Sequence, residues 1–211
     1  MRYDLYVVTD SRLARGLAHG EVAALAVKGG ADVIQLRDKN MSKRELYLTA
    51  LELRQITKDG GAAFIVNDSV EVALAAKADG VHLGQDDLPL EAARRIVPKD
   101  FIIGISVNSA ALAKKAEEGG ADYVALSPVF DTSTKEDVGP GKGLEVLKEI
   151  RAAVSIPIVA IGGIDKANVR SVLAAGADGI AVISAVVGQK DIVSAAKDLK
   201  TLIGRNRGKR P

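Results

Sequence analysis

Eight short apolar runs of strand length alternate with segments of helical period along the whole 211-residue chain. The runs cover residues 4–8, 33–36, 63–66, 80–83, 101–105, 123–126, 156–160 and 179–182, and the clearest helical segments are 43–57, 110–118, 143–153 and 192–202. The runs are rich in Val and Ile, whereas the helical segments are rich in Ala, Leu, Lys and Glu. This alternation predicts an α/β fold, a (β/α)8 (TIM) barrel, for which about 200 residues is the lower limit.

An open, doubly wound sheet is the alternative to a barrel. Such folds most often carry Gly-x-Gly-x-x-Gly after the first strand, whereas Thr9-Asp10-Ser11-Arg12 follows it here, so the barrel is favoured. A hydrophobic content of 47% suits one domain with a full core. We predict a single barrel domain over residues 1–203 and a basic, disordered tail over residues 204–211, where the sequence is polar and lacks periodicity.

A short element ending in Ala-Asp recurs before the second, fourth, sixth and eighth predicted strands. Its acidic residues are Asp32, Asp79, Asp122 and Asp178. A glycine before three of these pairs can adopt the left-handed conformation that ends a helix. Because the N-terminal ends of barrel strands serve stability, we expect these aspartates to be structural.

The composition excludes several classes of protein. The chain has no cysteine, which rules out disulfides, thiolate catalysis and cysteine-ligated metal centres and fits a reducing compartment. A net charge of +2 and an aromatic content of 3% argue against a nucleic-acid partner. No run approaches the ~20 apolar residues of a membrane span, and the N-terminus lacks the apolar region of a signal peptide. We expect a cytoplasmic protein with no membrane partner.

The second predicted strand ends in a run that contains two cations, Gln35-Leu36-Arg37-Asp38-Lys39. Because side chains alternate along a strand, Gln35, Arg37 and Lys39 would point the same way. An apolar interior does not accommodate two cations, and in a barrel the chemistry lies at the C-terminal ends of the strands. The run therefore predicts a site for a multiply charged anion, of which phosphate groups are the common biological example.

Carboxylates follow the next two strands. Asn67-Asp68 ends the third strand, and Gln85-Asp86-Asp87 follows the fourth. Neighbouring strands would bring these acidic groups together beside the cations, which suggests a divalent cation between them. Magnesium fits best, because it takes one or two carboxylates together with phosphate oxygens and waters. The pattern leaves open whether Asp86 or Asp87 is the second ligand.

The last three connections at the same end predict a second phosphate site and a lid. Gly162-Gly163 and Ile183-Ser184 follow the seventh and eighth strands, where barrels often bind phosphate through backbone N–H groups. The connection over residues 127–141 carries hydroxyl groups and Lys135. Loops of about 15 residues without structure of their own are often functional, so we predict a mobile lid that carries Lys135.

Separated motifs along the chain resemble those of the thiamine-phosphate synthase (thiamine-phosphate pyrophosphorylase) family. They are Gln35-Leu36-Arg37-Asp38-Lys39, Asn67-Asp68, residues 80–87, Gly104-Ile105-Ser106, residues 128–135, residues 161–164 and Ile183-Ser184. The resemblance covers nearly the whole chain. It implies a transferase of thiamine biosynthesis that condenses 4-amino-2-methyl-5-(diphosphooxymethyl)pyrimidine with 4-methyl-5-(2-phosphooxyethyl)thiazole, giving thiamine phosphate and pyrophosphate.

The resemblance also implies which residues bind each of these two small phosphorylated substrates. The residues that match the pyrimidine diphosphate site are Gln35, Leu36, Arg37, Asp38, Lys39, Asn67, Ser106 and Lys135. Those that match the thiazole phosphate site are Thr132, Ser133, Thr134, Gly163, Ile183 and Ser184. Asp68 and Asp87 match the ligands of one Mg²⁺ per subunit, and Arg37, Lys39, Ser106 and Lys135 match catalytic positions.

The family mechanism, in which pyrophosphate leaves before the thiazole nitrogen attacks, needs no protein nucleophile. His82 lies within the fourth strand beside Val81 and Leu83, and we expect it to be a hydrogen-bonded core residue. Two alternatives are the related thiazole tautomerase and a non-catalytic, phosphate-sensing barrel. Neither needs the cations and carboxylates that this chain carries. The sequence leaves the oligomeric state open, a homo-oligomer included.

Overall fold

The computed structural model describes residues 2–132, 134 and 139–207, with side chains through residue 204. Its strands are β1 (Leu5–Val8), β2 (Val33–Leu36), β3 (Ala63–Asn67), β4 (Gly80–Leu83), β5 (Ile102–Val107), β6 (Tyr123–Leu126), β7 (Ile158–Ile161) and β8 (Gly179–Val182). Its helices are α1 (His19–Lys28), α2 (Lys43–Gly60), α3 (Val70–Ala75), α4 (Leu90–Ile96), α5 (Ala110–Glu118), α6 (Gly143–Ala153), α7 (Val169–Ala174) and α8 (Ile192–Arg207).

The strands form one closed, parallel sheet. Each strand pairs with the next along the chain, and β8 pairs with β1. The predicted (β/α)8 barrel is confirmed. No helix in the described ranges is long and apolar enough to span a membrane.

All eight predicted strands overlap the observed ones and differ from them only at the ends. β5 continues two residues further, to Val107, and β7 begins two residues later, at Ile158. α8 runs through Arg207, past the predicted start of the tail at residue 204. The sequence of the last helical turn, Gly204-Arg205-Asn206-Arg207, contains no apolar side chain, so the sequence periodicity stops before the helix does. Residues 208–211 of the predicted tail lie outside the described residues.

Nearly every strand side chain is buried, which explains why the strands appear as continuous apolar runs. All residues of β1, β2, β4, β6 and β8 are buried. Strands of a parallel barrel are covered on both faces and need no alternation of polar and apolar residues. A few residues in these strands carry buried polar groups instead, namely Gln35, His82 and the phenols of Tyr6 and Tyr123.

Local sequence sets the ends of the longest helix, α2. Ser42 caps its first turn, since its Oγ accepts the N–H of Glu45 at 3.3 Å while the N–H of Ser42 donates to the Glu45 carboxylate at 2.8 Å. Gly61 ends the helix with a φ of +70°, in the left-handed region that favours glycine. Ser42 and Glu45 lie three residues apart, so the start of the helix could be predicted to the residue.

The N-terminal ends of the strands carry four carboxylates with the same bonding pattern. They are Asp32, Asp79, Asp122 and Asp178, and they accept the backbone N–H groups of Leu5, Phe64, Ile103 and Ile158 respectively. Each also pairs with a cation from a neighbouring even-numbered helix, in the same order Lys200, Arg54, Arg94 and Arg151. Each carboxylate thus links an odd-numbered strand to a helix, and the structural role predicted for it is confirmed.

Candidate active site

Arg37 follows β2 directly and lies at the C-terminal end of the barrel, 8% exposed. Its Nη1 is 3.9 Å from Oδ2 of Asp10, which follows β1. Asp10 is itself fixed, because its Oδ1 accepts the N–H groups of Arg12 at 3.0 Å and Leu13 at 3.1 Å. The carboxylate compensates the charge of the buried guanidinium, which would otherwise be costly to desolvate.

Two residues of the predicted diphosphate run direct their side chains elsewhere. Leu36 is fully buried in the core. The Asp38 carboxylate accepts the Asn40 N–H and the Ser11 hydroxyl, at 2.8 and 2.7 Å, and lies 3.1 Å from His19 Nε2. Burial opposes ionisation, but these hydrogen bonds prevail and lower the pKa of Asp38. Asp38 therefore joins loop segments to one another.

Asp68 and Asp87 face each other across the ends of β3 and β4. Burial, and then the hydrogen bond to Asp87 and its charge, raise the pKa of Asp68 to about 6, although two nearby cations oppose the rise. Asp87 also accepts the N–H of Gly84 at 2.6 Å. Asp86, by contrast, is exposed. The structure thus places Asp87, and not Asp86, in contact with Asp68, although both Asp86 and Asp87 line the same cavity.

The backbone at Asp68 adopts a conformation that is uncommon for a residue other than glycine. Its φ is +61°, and its N–H donates to the carbonyl of His82 at 2.9 Å. Such a conformation costs of order 1 kcal/mol and persists where the surroundings hold it in place. It turns the chain sharply after β3, which places the carboxylate at the barrel mouth.

These groups line one cavity of about 350 Å³ at the barrel mouth. The predicted site residues in its wall are Arg37, Lys39, Asn67, Asp68, Asp87 and Ser106. Gln35 lies deeper, 4% exposed, and its Nε2 donates to the Tyr6 hydroxyl at 2.6 Å. Cations and paired carboxylates in one cavity suit an anionic group together with a divalent cation.

A second cleft adjoins the first, and Ser127 lines both. Its wall contains Thr132, Thr134, Gly163, Ile183 and Ser184 from the predicted second phosphate site, while Ser133 lies outside the described residues. Gly163 has a φ of +63°, and a Cβ there would lie 2.7 Å from the carbonyl oxygen of Asp131. Glycine is therefore required where the loop after β7 meets the loop after β6.

Backbone groups dominate the polar character of this second cleft. The N–H of Val187 donates to the carbonyl of Ile183 at 2.7 Å, so a helical turn begins at Ser184. Within the described ranges, no protein acceptor is bonded to the N–H groups of Gly163 and Ser184. Free N–H groups at the start of a helical turn favour an anion such as phosphate.

The long connection after β6 is anchored at both ends. Val129 donates its N–H to the carbonyl of Ile161 at 2.8 Å, and Gly143 donates to the carbonyl of Val129 at 2.8 Å. Arg12 Nη2, from the loop after β1, reaches the Thr134 carbonyl at 3.1 Å. Lys135, and with it the centre of the predicted lid, lies outside the described residues.

Comparisons with known proteins identify the family. The sequence model of the family described as thiamine monophosphate synthase matches residues 5–186. The chain belongs to this family. It is 62% identical over 203 residues to the thiamine-phosphate synthase of Methanoculleus marisnigri, covering 96% of each chain, and 56% identical over 207 residues to that of Methanocella arvoryzae, covering 98% of each.

A solved structure agrees with this assignment. The thiamine phosphate pyrophosphorylase from Pyrococcus furiosus matches with a TM-score of 0.89 at 46% identity, covering 97% of this chain and 96% of that chain. The resemblance to the thiamine-phosphate synthase family is therefore confirmed. The curated relatives also carry the name of the predicted transferase.

The residues present fit the magnesium ion that the thiamine-phosphate synthase resemblance implies. Burial, and then the contact with Asp87, raise the pKa of Asp68, and a divalent cation between the two carboxylates would offset both effects. The described residues contain no cluster of three or more acidic or histidine side chains that could hold a metal. Waters and substrate phosphate oxygens would therefore complete the shell of Mg²⁺, which is its usual arrangement in such sites.

Sequence reasoning missed two residues of this thiamine-phosphate synthase site. Asp10, which holds Arg37, was visible only as part of a polar run after the first strand. His82 is hydrogen-bonded and buried, as expected, but it also lines the cavity, where its Nε2 lies 2.9 Å from Ser106 Oγ. The pairing of the fourth strand with the fifth could have suggested this contact.

Proposed function

We propose that this chain condenses 4-amino-2-methyl-5-(diphosphooxymethyl)pyrimidine with 4-methyl-5-(2-phosphooxyethyl)thiazole to give thiamine phosphate and pyrophosphate. The observation that carries the proposal is that two unlike clefts meet at Ser127. One has cations and paired carboxylates, which suit a diphosphate with a metal ion. The other offers backbone N–H groups, which suit a single phosphate. A reaction that joins a diphosphate to a monophosphate needs both.

In the first cleft, Arg37, Lys39 and Asn67 would bind the diphosphate. The guanidinium of Arg37 has donors for Asp10 and for a phosphate oxygen at once, which a point charge lacks. Asp68 and Asp87 would hold one Mg²⁺ beside it. Lys135 is assigned to the same group through the family resemblance.

In the second cleft, the thiazole phosphate would be bound by Thr132, Ser133, Thr134, Gly163, Ile183 and Ser184. The N–H groups of Gly163 and Ser184 support this assignment, because they have no acceptor among the described residues. The proximity of the two clefts would place the thiazole ring next to the pyrimidine. Holding two reactants in this way lowers the entropic barrier to joining them.

The mechanism that suits these residues has two steps and no covalent enzyme intermediate. The bond between the pyrimidine methylene carbon and the diphosphate oxygen breaks first, and its electron pair leaves with pyrophosphate. Arg37 and Lys39 stabilise the charge that grows on the leaving oxygen, and one well-placed donor supplies about 3 kcal/mol. Bound Mg²⁺ would supply further neutralisation of the same charge. The thiazole nitrogen then gives its lone pair to the methylene carbon, and the C–N bond forms.

The chain must also exclude water, which would capture the cation left on the pyrimidine. The buried wall of the barrel mouth serves this purpose, and Ser127 and Pro128 close the side of the second cleft. The loop over residues 127–141 is anchored at both ends, which supports a role as a cover.

The thiazole tautomerase alternative is less well supported. A tautomerase that binds one phosphorylated thiazole has no use for Arg37 and Lys39 facing Asp68 and Asp87 in a separate cavity. A phosphate-sensing barrel has no use for the paired carboxylates either. The names of the relatives favour the synthase over both.

The decisive experiment mixes both substrates with the protein, with and without Mg²⁺, and follows thiamine phosphate by fluorescence after oxidation. We expect product only when protein, both substrates and metal are present. Product loss on omission of either substrate is the internal control. Absence of product in the complete mixture would overturn the proposal. A cytoplasmic location, one Mg²⁺ per subunit and a homo-oligomer stay predictions.

A further inference from the structure

A chain of hydrogen bonds crosses the barrel interior beneath the first cleft. Gln35 Nε2 donates to the Tyr6 hydroxyl at 2.6 Å, and the hydroxyls of Tyr6 and Tyr123 lie 3.0 Å apart. The Tyr123 hydroxyl is 2.9 Å from His82 Nδ1, and His82 Nε2 is 2.9 Å from Ser106 Oγ. β1 and β6 are not neighbours in the sheet, so the bond between the two tyrosines spans the interior.

The direction of this chain follows from its first bond. Burial raises the pKa of both Tyr6 and Tyr123, so each keeps its single hydroxyl proton. Tyr6 accepts from Gln35, and the Tyr123 oxygen is the acceptor within reach of its own buried proton. The arrangement in which every buried proton has an acceptor therefore runs from Tyr6 to Tyr123 and from Tyr123 to Nδ1 of His82. An imidazole that accepts at Nδ1 carries its hydrogen at Nε2. His82 consequently donates to Ser106.

The two ends of the chain then present opposite groups. Ser106 accepts from His82, so its own proton is left for the cavity that it lines. Gln35 commits its nitrogen to Tyr6, which leaves its oxygen as the acceptor, and no donor within the described ranges is bonded to that oxygen. Each group between the two ends has one proton to donate. Exchanging donor for acceptor at Gln35 or at Ser106 therefore requires every hydrogen bond between them to change direction.

The packing around the chain holds its centre in place. Gly104 pairs with Tyr123 in the register of β5 and β6. A Cβ on Gly104 would lie 2.0 Å from Cζ and 2.3 Å from the hydroxyl oxygen of Tyr123. The phenol reaches His82 only because Gly104 has no side chain. The ring of Tyr3 packs against Tyr123 with centroids 4.8 Å apart, yet Tyr3 takes no part in the chain.

We propose that this chain of hydrogen bonds sets the specificity of the enzyme for a 4-aminopyrimidine, with Tyr123 and His82 as positioning residues. The inference rests on the proposed function. A 4-aminopyrimidine presents an amino donor beside a ring nitrogen acceptor, which complements the Gln35 oxygen and the Ser106 hydroxyl. The 4-oxo analogue presents an acceptor beside a ring N–H. It fits only a reversed chain, or leaves buried polar groups unpaired.

The test compares kcat/KM for the 4-amino and 4-oxo pyrimidine diphosphates in the full-length protein with Mg²⁺ and thiazole phosphate. We expect the wild type to prefer the 4-amino substrate. Tyr123→Phe breaks the chain at its centre, so Gln35 and Ser106 can turn independently. The ratio of kcat/KM for the 4-amino substrate to that for the 4-oxo analogue should then fall about tenfold. This is the cost of one unpaired buried polar group, which the variant avoids when it binds the 4-oxo analogue. The KM for thiazole phosphate should not change.

Two further variants separate positioning from loss of structure. Gly104→Ala keeps every polar group of the chain but displaces the Tyr123 ring, and we expect the same fall in preference. Tyr3→Phe removes a phenol that packs on the same ring but lies outside the chain, and we expect the wild-type preference. A merely structural role for Tyr123 would lower both rates together and leave their ratio unchanged.

The outcomes distinguish this inference from the proposed function. No thiamine phosphate from the wild type overturns the proposed function and the inference with it. Product from the wild type without preference for the 4-amino substrate overturns the inference alone. An unchanged preference in both Tyr123→Phe and Gly104→Ala does the same. Should Tyr123→Phe fail to fold, the preference measured for Gly104→Ala decides between these outcomes by itself.

Discussion

The two ends of the barrel use aspartate in opposite ways. At the N-terminal end, Asp79 is typical: its carboxylate accepts the N–H of Phe64 and pairs with Arg54, both at 2.8 Å. At the C-terminal end, Asp68 faces Asp87, and burial followed by this contact raises the pKa of Asp68 to about 6. Carboxylates whose hydrogen bonds and ion pairs are all made by groups of the protein itself stabilise the fold. Carboxylates that face each other favour a cation from outside, which supports the Mg²⁺ that we propose at this end.

The two ends also differ in symmetry. The N-terminal carboxylates repeat before every second strand, so each occupies the same place in a two-strand unit. Asp68 and Asp87 follow adjacent strands, β3 and β4, and among the described residues Asp68 is the one carboxyl group whose pKa is raised, by burial and by contact with a second carboxylate. Contacts that stabilise the fold can recur in every repeated unit of the barrel. A binding site instead combines different residues at one place.

The largest effect is expected from Asp87→Asn, which removes a charge from the mouth without changing the shape of the residue. We expect turnover to fall about 100-fold to 1,000-fold, as when a key electrostatic contact to a transition state is lost. Stability should hold or rise, because the repulsion with Asp68 disappears. Steady-state kinetics at saturating Mg²⁺ and urea unfolding measure the two quantities.

Asp86→Asn is the matched control, because Asp86 lines the same cavity but is exposed and is not among the groups that shift the pKa of Asp68. It should leave turnover close to the wild-type value. Near-normal turnover of Asp87→Asn, or equal losses in the two variants, would contradict the assignment of Asp87 to the metal.

Next in size is the effect of Arg37→Lys. A single amine cannot keep the contact with Asp10 and also bind a phosphate oxygen in the planar manner of a guanidinium. We expect kcat/KM for the pyrimidine diphosphate to fall about tenfold to 100-fold. The matched change at the other end, Arg54→Lys, should leave kcat/KM unchanged. Equal losses of kcat/KM in Arg37→Lys and Arg54→Lys would contradict the assignment of substrate binding to the C-terminal end alone.

The sequence predicted the barrel because its decisive features are local. Strands buried on both faces appear as apolar runs, and Ser42 with Glu45 marks the start of α2 within a few residues. The N-terminal aspartates were predicted to be structural from their repeated position alone. Their partners were not predicted, because Arg54 lies 25 residues from Asp79 and no local pattern links them.

The site was predicted in kind but not in detail. Residue types and strand ends located the cations and acids, yet spacing could not separate Asp86 from Asp87, since only the fold turns one of them toward Asp68. The bond between Tyr6 and Tyr123 joins residues 117 positions apart across the interior. Such a contact depends on barrel closure and on the space left by Gly104, which no strand pattern encodes.

A smaller effect, and one on stability, is expected at the N-terminal end. Asp79→Ala leaves the N–H of Phe64 and the guanidinium of Arg54 without their carboxylate. We expect the free energy of unfolding to fall by about 2 kcal/mol, with kcat/KM of the folded protein unchanged. Urea unfolding and steady-state kinetics test this, with exposed Asp100→Ala as the control. A kinetic defect in folded Asp79→Ala would show that the two ends are not separate in function.

The smallest effect is expected from a substitution at Asp38. It tests whether the role of an aspartate depends on its position in the barrel or on whether other groups of the protein already bond its carboxylate. Asp38 lies at the functional end but is bonded like the N-terminal carboxylates, to Ser11, His19 and Asn40. Asp38→Asn should lower the free energy of unfolding at pH 7 by about 1 kcal/mol, the net contribution of such hydrogen bonds.

The loss of unfolding free energy in Asp38→Asn should depend on pH. Because the pKa of Asp38 is lowered in the folded protein, its contribution is complete above the unfolded pKa of about 3.9 and is lost as the pH falls through the folded value. Wild type and Asp38→Asn should therefore converge in urea unfolding at acid pH, whereas Asp86→Asn should match the wild type throughout. If Asp38→Asn were fully stable but about 100-fold slower, Asp38 would act with Asp68 and Asp87, and position in the barrel rather than completed bonding would decide what a carboxylate does.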